Sequence, residues 1–136
     1  MKKIIFIAAF LLFAQLLSGQ ILQKGNLLGL HIMTVSLKPN VTMDQFTTFF
    51  IDKVIPEYEK YFDVKGYIVK GIRGEVKNSF GIIWLFKTDK ARNKYFKDDG
   101  FATEEGLEAM LKVAPIGEDL KKLGMYTTKY TDWVVQ

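Results

Sequence analysis

Two segments of this chain are apolar at successive positions, not at alternate ones, and that constrains its fold more than any other feature. Gly29 to Leu37 reads GLHIMTVSL, and Ser79 to Lys87 reads SFGIIWLFK. Both are rich in β-branched and aromatic residues, and Lys38-Pro39-Asn40 punctuates the end of the first, so both are expected strands. Strand side chains alternate between faces. With Leu28 included, one face of the first strand carries Leu28, Leu30 and Ile32, and the other carries Met33, Val35 and Leu37. In the second segment Phe80, Ile82, Trp84 and Phe86 oppose Ile83 and Leu85. An antiparallel sheet with one face in water shows polar residues on that face. A sheet built around these two strands must therefore be covered on both sides.

The remaining pattern supplies the other elements. Thr42 with Gln45 spells a capping box, opening a helix over residues 43–62. Phe46, Phe50, Val54 and Tyr58 recur every four residues along it. Pro56 should kink or split that helix near Ile55. Gly66 to Ile72 reads as a further strand, and the polar stretch Gly74 to Asn78 joins it to SFGIIWLFK as a hairpin. Thr88-Asp89 caps a short helix over 90–96, and Lys97 to Phe101 forms a loop. A helix follows Thr103, with Glu104 and Glu105 suited to its positive end. Its expected apolar face is Leu107, Met110, Leu111 and Ala114. Pro115 is expected to interrupt it, a short helical piece running on to Leu123 and Gly124. Tyr126 to Val135 (YTTKYTDWVV) is the last strand.

The order strand, helix, strand, strand, helices, strand predicts an α+β, ferredoxin-like βαββαβ domain. The expected four-stranded antiparallel sheet has order 4-1-3-2, with both helical layers on one face. The lysines Lys65, Lys70 and Lys129 fall on the two edge strands, as edges often require. Helices can cover only one face. The cheapest cover for the other is the same face of a second copy, because isologous dimers are the commonest assembly. The expected partner is thus the chain itself, with two sheets enclosing a barrel.

The first residues read as an address. Lys2 and Lys3 precede Ile4 to Leu17, apolar except for Gln15, and Ser18-Gly19-Gln20 follows. A basic start, a short apolar run and small residues make a secretory signal over residues 1–19, although Leu17 is larger than usual at −3. The run is shorter than the roughly 20 residues that span a bilayer. Gln20 stands where a lipoprotein needs cysteine, so no lipid anchor is expected. The expected location is periplasmic or secreted. Removing Lys2 and Lys3 with the signal leaves 17 basic against 15 acidic residues, a charge of +2. Lys87, Lys90, Arg92, Lys94 and Lys97 are flanked by Asp89, Asp98 and Asp99, which reads as a solvated helix face and not as a nucleic-acid footprint. The chain has no cysteine and one histidine. A disulfide framework, a thiolate metal site and a cysteine nucleophile are excluded. No Ser/His/Asp triad, zinc motif, P-loop or dinucleotide fingerprint is present.

The opening strand GLHIMTVSLKP, the Phe-rich helix with IPEYEKYF, the hairpin VKGYIVKGIRGEVKNSFGIIWLF and the closing strand TKYTDWVV resemble the dimeric α+β barrel superfamily. That group includes antibiotic-biosynthesis monooxygenase-like, stress-responsive and haem-degrading members. The resemblance spans nearly all of residues 27–136 and speaks for fold much more than for function. Haem-degrading members place a histidine ligand on a helix, whereas His31 lies on a strand. Cofactor-free monooxygenase members use Trp, Tyr and Asn near an oxidisable aromatic substrate, and Trp84, Tyr67 and Tyr130 are residues of that kind.

Five residues are the candidates for a site. His31 could donate or accept a proton near neutral pH, or be a hydrogen-bonded core histidine. Arg73, where the hairpin opens, could clamp an anionic group or pair with Glu75. Tyr67, Trp84 and Tyr130, with Phe80 and Phe86, could wall an aromatic pocket or simply pack. Asp132 beside Trp133 should either be paired or have a raised pKa, and pairing with a lysine or arginine is the expected case. The expected function is binding of a small apolar or aromatic molecule in or beside the barrel without a cofactor, with His31 as base if the protein is an enzyme. The alternatives are an assembly module whose barrel is filled by side chains, and a haem-binding protein.

Overall fold

The computed structural model describes residues 22–136; the expected signal segment lies outside them. The strands are β1 (Leu27–Leu37), β2 (Lys65–Lys70), β3 (Phe80–Phe86) and β4 (Gly124–Val134). They form one antiparallel sheet of order β2-β3-β1-β4, the order expected from the connections. The helices are α1 (Met43–Phe49), α2 (Ile55–Phe62), α3 (Asp89–Asn93) and α4 (Glu104–Lys121).

The capping box forms as spelled. The Gln45 backbone N–H donates to Thr42 Oγ1 at 3.2 Å, and the Thr42 N–H donates to Gln45 Oε1 at 2.8 Å. The long first helix is irregular just before Pro56, as expected, but its helical backbone is not broken there. Residues Phe50–Val54 widen into a π turn, and the Ile55 N–H donates to the Phe50 carbonyl. Pro56 then sits in the first turn of α2, directly after the π turn.

Two expectations for α4 are corrected. The helix runs unbroken through Pro115. Pro115 and Leu111, four residues before it, are both exposed, so the carbonyl that loses its donor lies on the solvent side of the helix. Its buried face is Gly106, Ala109, Val113 and Leu120; Leu107 (56%) and Leu111 (75%) are exposed, and Met110 is partly so. Close approach is the reason. A Cβ on Gly106 would collide with the Tyr95 carbonyl oxygen, so the first half of the helix presents Gly106 and Ala109 inward and turns Leu107 and Leu111 out.

Register decides which sheet face meets the helices. Gly29 pairs with Trp84 and Asp132, His31 with Ile82 and Tyr130, and Met33 with Phe80 and Thr128. These residues point toward the helical layer. Every strand residue in the two core clusters lies on this same face. One cluster joins Met33 and Ile82 to Phe46, Phe50, Val54 and Leu120. The other joins Leu27 and Phe86 to Phe62, Tyr95, Ala109 and Val113. The opposite face carries Leu28, Leu30, Ile32 and Ile83, with Tyr67 (46%) and Trp133 (61%) exposed beside them. Its centre is apolar, Lys65 and Lys129 stand on its edge strands, and none of its residues belongs to either core cluster with the helices.

Candidate functional site

Between the sheet and the helices lies a cavity of about 240 Å³. Strands β1, β3 and β4 form its floor, α2 and α4 its sides, and the loop around Gly100 one rim. Its walls are chiefly aromatic. Trp84 stacks on Tyr58 (centroids 5.2 Å apart), Tyr58 on Phe62 (5.3 Å) and Phe62 on Phe96 (5.7 Å). Each ring in this ladder is held by the next, so the wall is pre-formed.

Its polar groups gather at one end. His31 stacks on its cross-strand neighbour Tyr130 with centroids 5.3 Å apart. Two residues along β4, on the same face, stands Asp132. Its Oδ2 lies 3.3 Å from Arg92 Nε. Arg92, on α3, is buried (9% exposed) and also donates through Nη1 to the carbonyls of Phe96 (2.9 Å) and Lys97 (2.7 Å). Gly29 lies beneath this group: a Cβ there would stand 3.1 Å from Asp132 Oδ1 and 3.5 Å from His31 Nε2. The bare glycine thus keeps open the space onto which both atoms face. Gly100, on the rim, approaches the Tyr130 hydroxyl.

Burial lowers the His31 pKa from its ordinary value of 6.5, and the nearby Asp132 charge opposes this in part. The imidazole is therefore neutral at pH 7 and can accept a proton. Burial raises Tyr58, and it pushes Tyr126 up to about 12, with the Tyr58 charge adding to it. Both phenols are un-ionised at physiological pH. The Arg92 and Asp132 charges cancel, so the cavity offers an apolar slot with hydrogen-bonding groups at one end and no net charge.

Of the five candidates, His31, Trp84 and Tyr130 come together on this cavity. Tyr67 stands on the opposite sheet face, across from Ile83. Arg73 is exposed in the hairpin loop between β2 and β3, away from the cavity, and among the described residues it has no ion pair. Asp132 does have an arginine partner, as expected. That partner corrects the reading of 87–97 as a wholly solvated face, since Arg92 turns inward while Lys90 and Lys94 stay exposed. Tyr58, Tyr126 and Arg92 were not candidates from sequence. Alternation along β4 placed Asp132 on the face of Tyr130; nothing in the spelling marked Arg92 out from its basic neighbours. No protein-family model matches the chain, and no curated protein matches it either. Among the described residues no cluster of three or more His, Asp or Glu side chains is placed to hold a metal ion, and no helix is long and apolar enough to cross a membrane.

Proposed function

We propose that this is an exported, homodimeric protein of the dimeric α+β barrel type that binds a small, uncharged, largely apolar or aromatic molecule. The observation that carries the reading is the aromatic cavity with His31, Tyr130 and Asp132 at one end and no net charge. Small-molecule sites have this composition: apolar walls and a few convergent polar groups. The cavity belongs to one protomer and lies on the helix side of the sheet. The apolar opposite face is then left for pairing with a second copy, so binding and assembly use different sides of one sheet. The basic, apolar and small-residue succession of residues 1–19 supports export.

A second reading rests on the neutral His31. Its Nε2 faces open space beside Asp132 Oδ1. A bound hydroxyl or acidic C–H there would pass its proton to Nε2, and Asp132 would stabilise the imidazolium formed. Binding is common to both readings.

The test is Gly29→Val together with native mass spectrometry of protein purified from its own host. The wild type should appear as a dimer carrying one retained small molecule per protomer. Gly29→Val, which fills the space between Asp132 and His31, should keep the dimer and lose the ligand. Wild-type protein that is ligand-free and binds no aromatic probe by calorimetry overturns the binding reading. Intact mass beginning at Gln20 checks export with signal removal.

A further inference from the structure

A second hollow, of about 360 Å³, adjoins the first. It runs between α2, α4 and the start of β4, and Val54, Val113, Ile116 and Leu120 line it with Gly117. Tyr58, Met110 and Tyr126 line both hollows. The tyrosine rings are pinned: Tyr58 by Trp84 and Phe62, and Tyr126 by Phe46 (6.3 Å) and Phe50 (5.5 Å). Met110 is partly exposed and unbranched, so it is the wall that can swing. Alone, the first cavity is smaller than the roughly 300–1,000 Å³ of ordinary ligand sites; joined, the two fall within that range.

The joined space has His31 and the Arg92–Asp132 pair at one end, while Tyr58, Tyr126 and Lys121 are the polar residues among the otherwise mostly aliphatic lining of the second hollow. At the first end Asp132 Oδ1 has no protein donor among the described residues, while Oδ2 is taken by Arg92. At the far end the one charged lining residue, Lys121, is already paired with Glu118 at 2.6 Å. No fixed charge in either hollow lacks its counter-charge.

We infer that the ligand is a linear amphiphile with an uncharged hydroxyl head, its head at His31, Tyr130 and Asp132 and its aliphatic chain lying along the cleft between α4 and β4. This rests on the ligand-binding reading and narrows it from a compact molecule to an elongated one. The head donates to Asp132 Oδ1. The chain passes Met110 and covers Val113, Ile116 and Leu120. Because Arg92 and Asp132 already neutralise each other, an ionised head would give up its hydration without meeting an unpaired counter-charge, so both carboxylate and ammonium heads are disfavoured.

Gly117 makes the inference testable. A Cβ there meets nothing within 4 Å, so a larger side chain has room to occupy the cleft without touching the first cavity. Calorimetry with the purified protein would use 1-butanol to 1-decanol, benzyl alcohol, decanoate and decylammonium. Affinity should rise about three- to fourfold per added methylene until the cleft is full, then level off. Both charged decyl probes should bind at least tenfold more weakly than 1-decanol. In Gly117→Leu, and in Ala114→Phe as a second plug, the levelling should come several carbons earlier, with 1-butanol and benzyl alcohol unchanged. Benzyl alcohol binding beside an alkanol series flat in chain length removes the inference and leaves the ligand site standing. A chain-length profile that neither plug alters also removes it. Failure of every probe, benzyl alcohol included, removes both.

Discussion

His31 and Arg92 show how one residue's surroundings set its chemistry. His31 resists protonation because the native state buries it, so its proton binding couples to folding. Above its ordinary value of 6.5 the ring is neutral folded and unfolded. As pH falls through 6.5 the unfolded chain takes a proton that the native site declines, and stability falls until the native pKa is passed. Urea midpoints should therefore drop between pH 7.5 and 5, and the drop should shrink in His31→Gln. An imidazole proton titration followed by NMR should give a midpoint below 6.5. Arg92 is a cross-link in a different sense. It joins Asp132 on the edge strand to the carbonyls of Phe96 and Lys97 at the cavity rim. Arg92→Met leaves these acceptors without their donor, and should cost about 2–3 kcal/mol in denaturant unfolding. Asp132→Asn should cost less, because that carboxylate is partly hydrated and its amide keeps an oxygen for Arg92.

Among the elements, α4 departs most from what its spelling suggests. A helical stripe of leucine and methionine ordinarily marks the buried face. Here that stripe is outside, and the close-packing face is Gly106, Ala109 and Val113. The two glycines of this helix should respond with opposite signs. Gly117→Ala meets open space and removes a poor helix former, so it should stabilise by about 1 kcal/mol. Gly106→Ala makes the same propensity gain but strikes the Tyr95 carbonyl, so the melting temperature should fall. The first helix was more legible. Thr42, Gln45 and Pro56 act through bonds made or lost within a few residues, and such local chemistry does not wait for the rest of the fold.

Among the described residues, one sheet carries apolar side chains on both faces and is packed by helices on one of them. The face away from the helices bears Leu30, Ile32 and Ile83 at its centre and Tyr67 and Trp133 toward its edges. Sedimentation at micromolar concentration should report a dimer. Leu30→Lys, at the centre of the face and away from the cavity, should give a folded monomer that still binds ligand. A wild type that sediments as a monomer would refute pairing through the sheet.

What the sequence determined by itself is what depends on neighbours along the chain: the order of strands and helices, the cap at Thr42, the irregular turn before Pro56, and the sorting of strand residues into two alternating sets. Connection rules then led to the strand order. His31, Trp84 and Tyr130 were legible as site candidates because an unusual residue type on a strand needs no partner to be noticed. Only the tertiary structure decided which set faces the helices. Alternation separates two faces but labels neither when both are apolar, and the set containing Tyr67 proved to be the outer one. Arg92's burial, the convergence of Asp132 with His31, and the cavity were likewise settled by packing. They bring together residues from β1, α3 and β4, about 40 to 100 positions apart in the chain, and no local pattern specifies contacts across such distances.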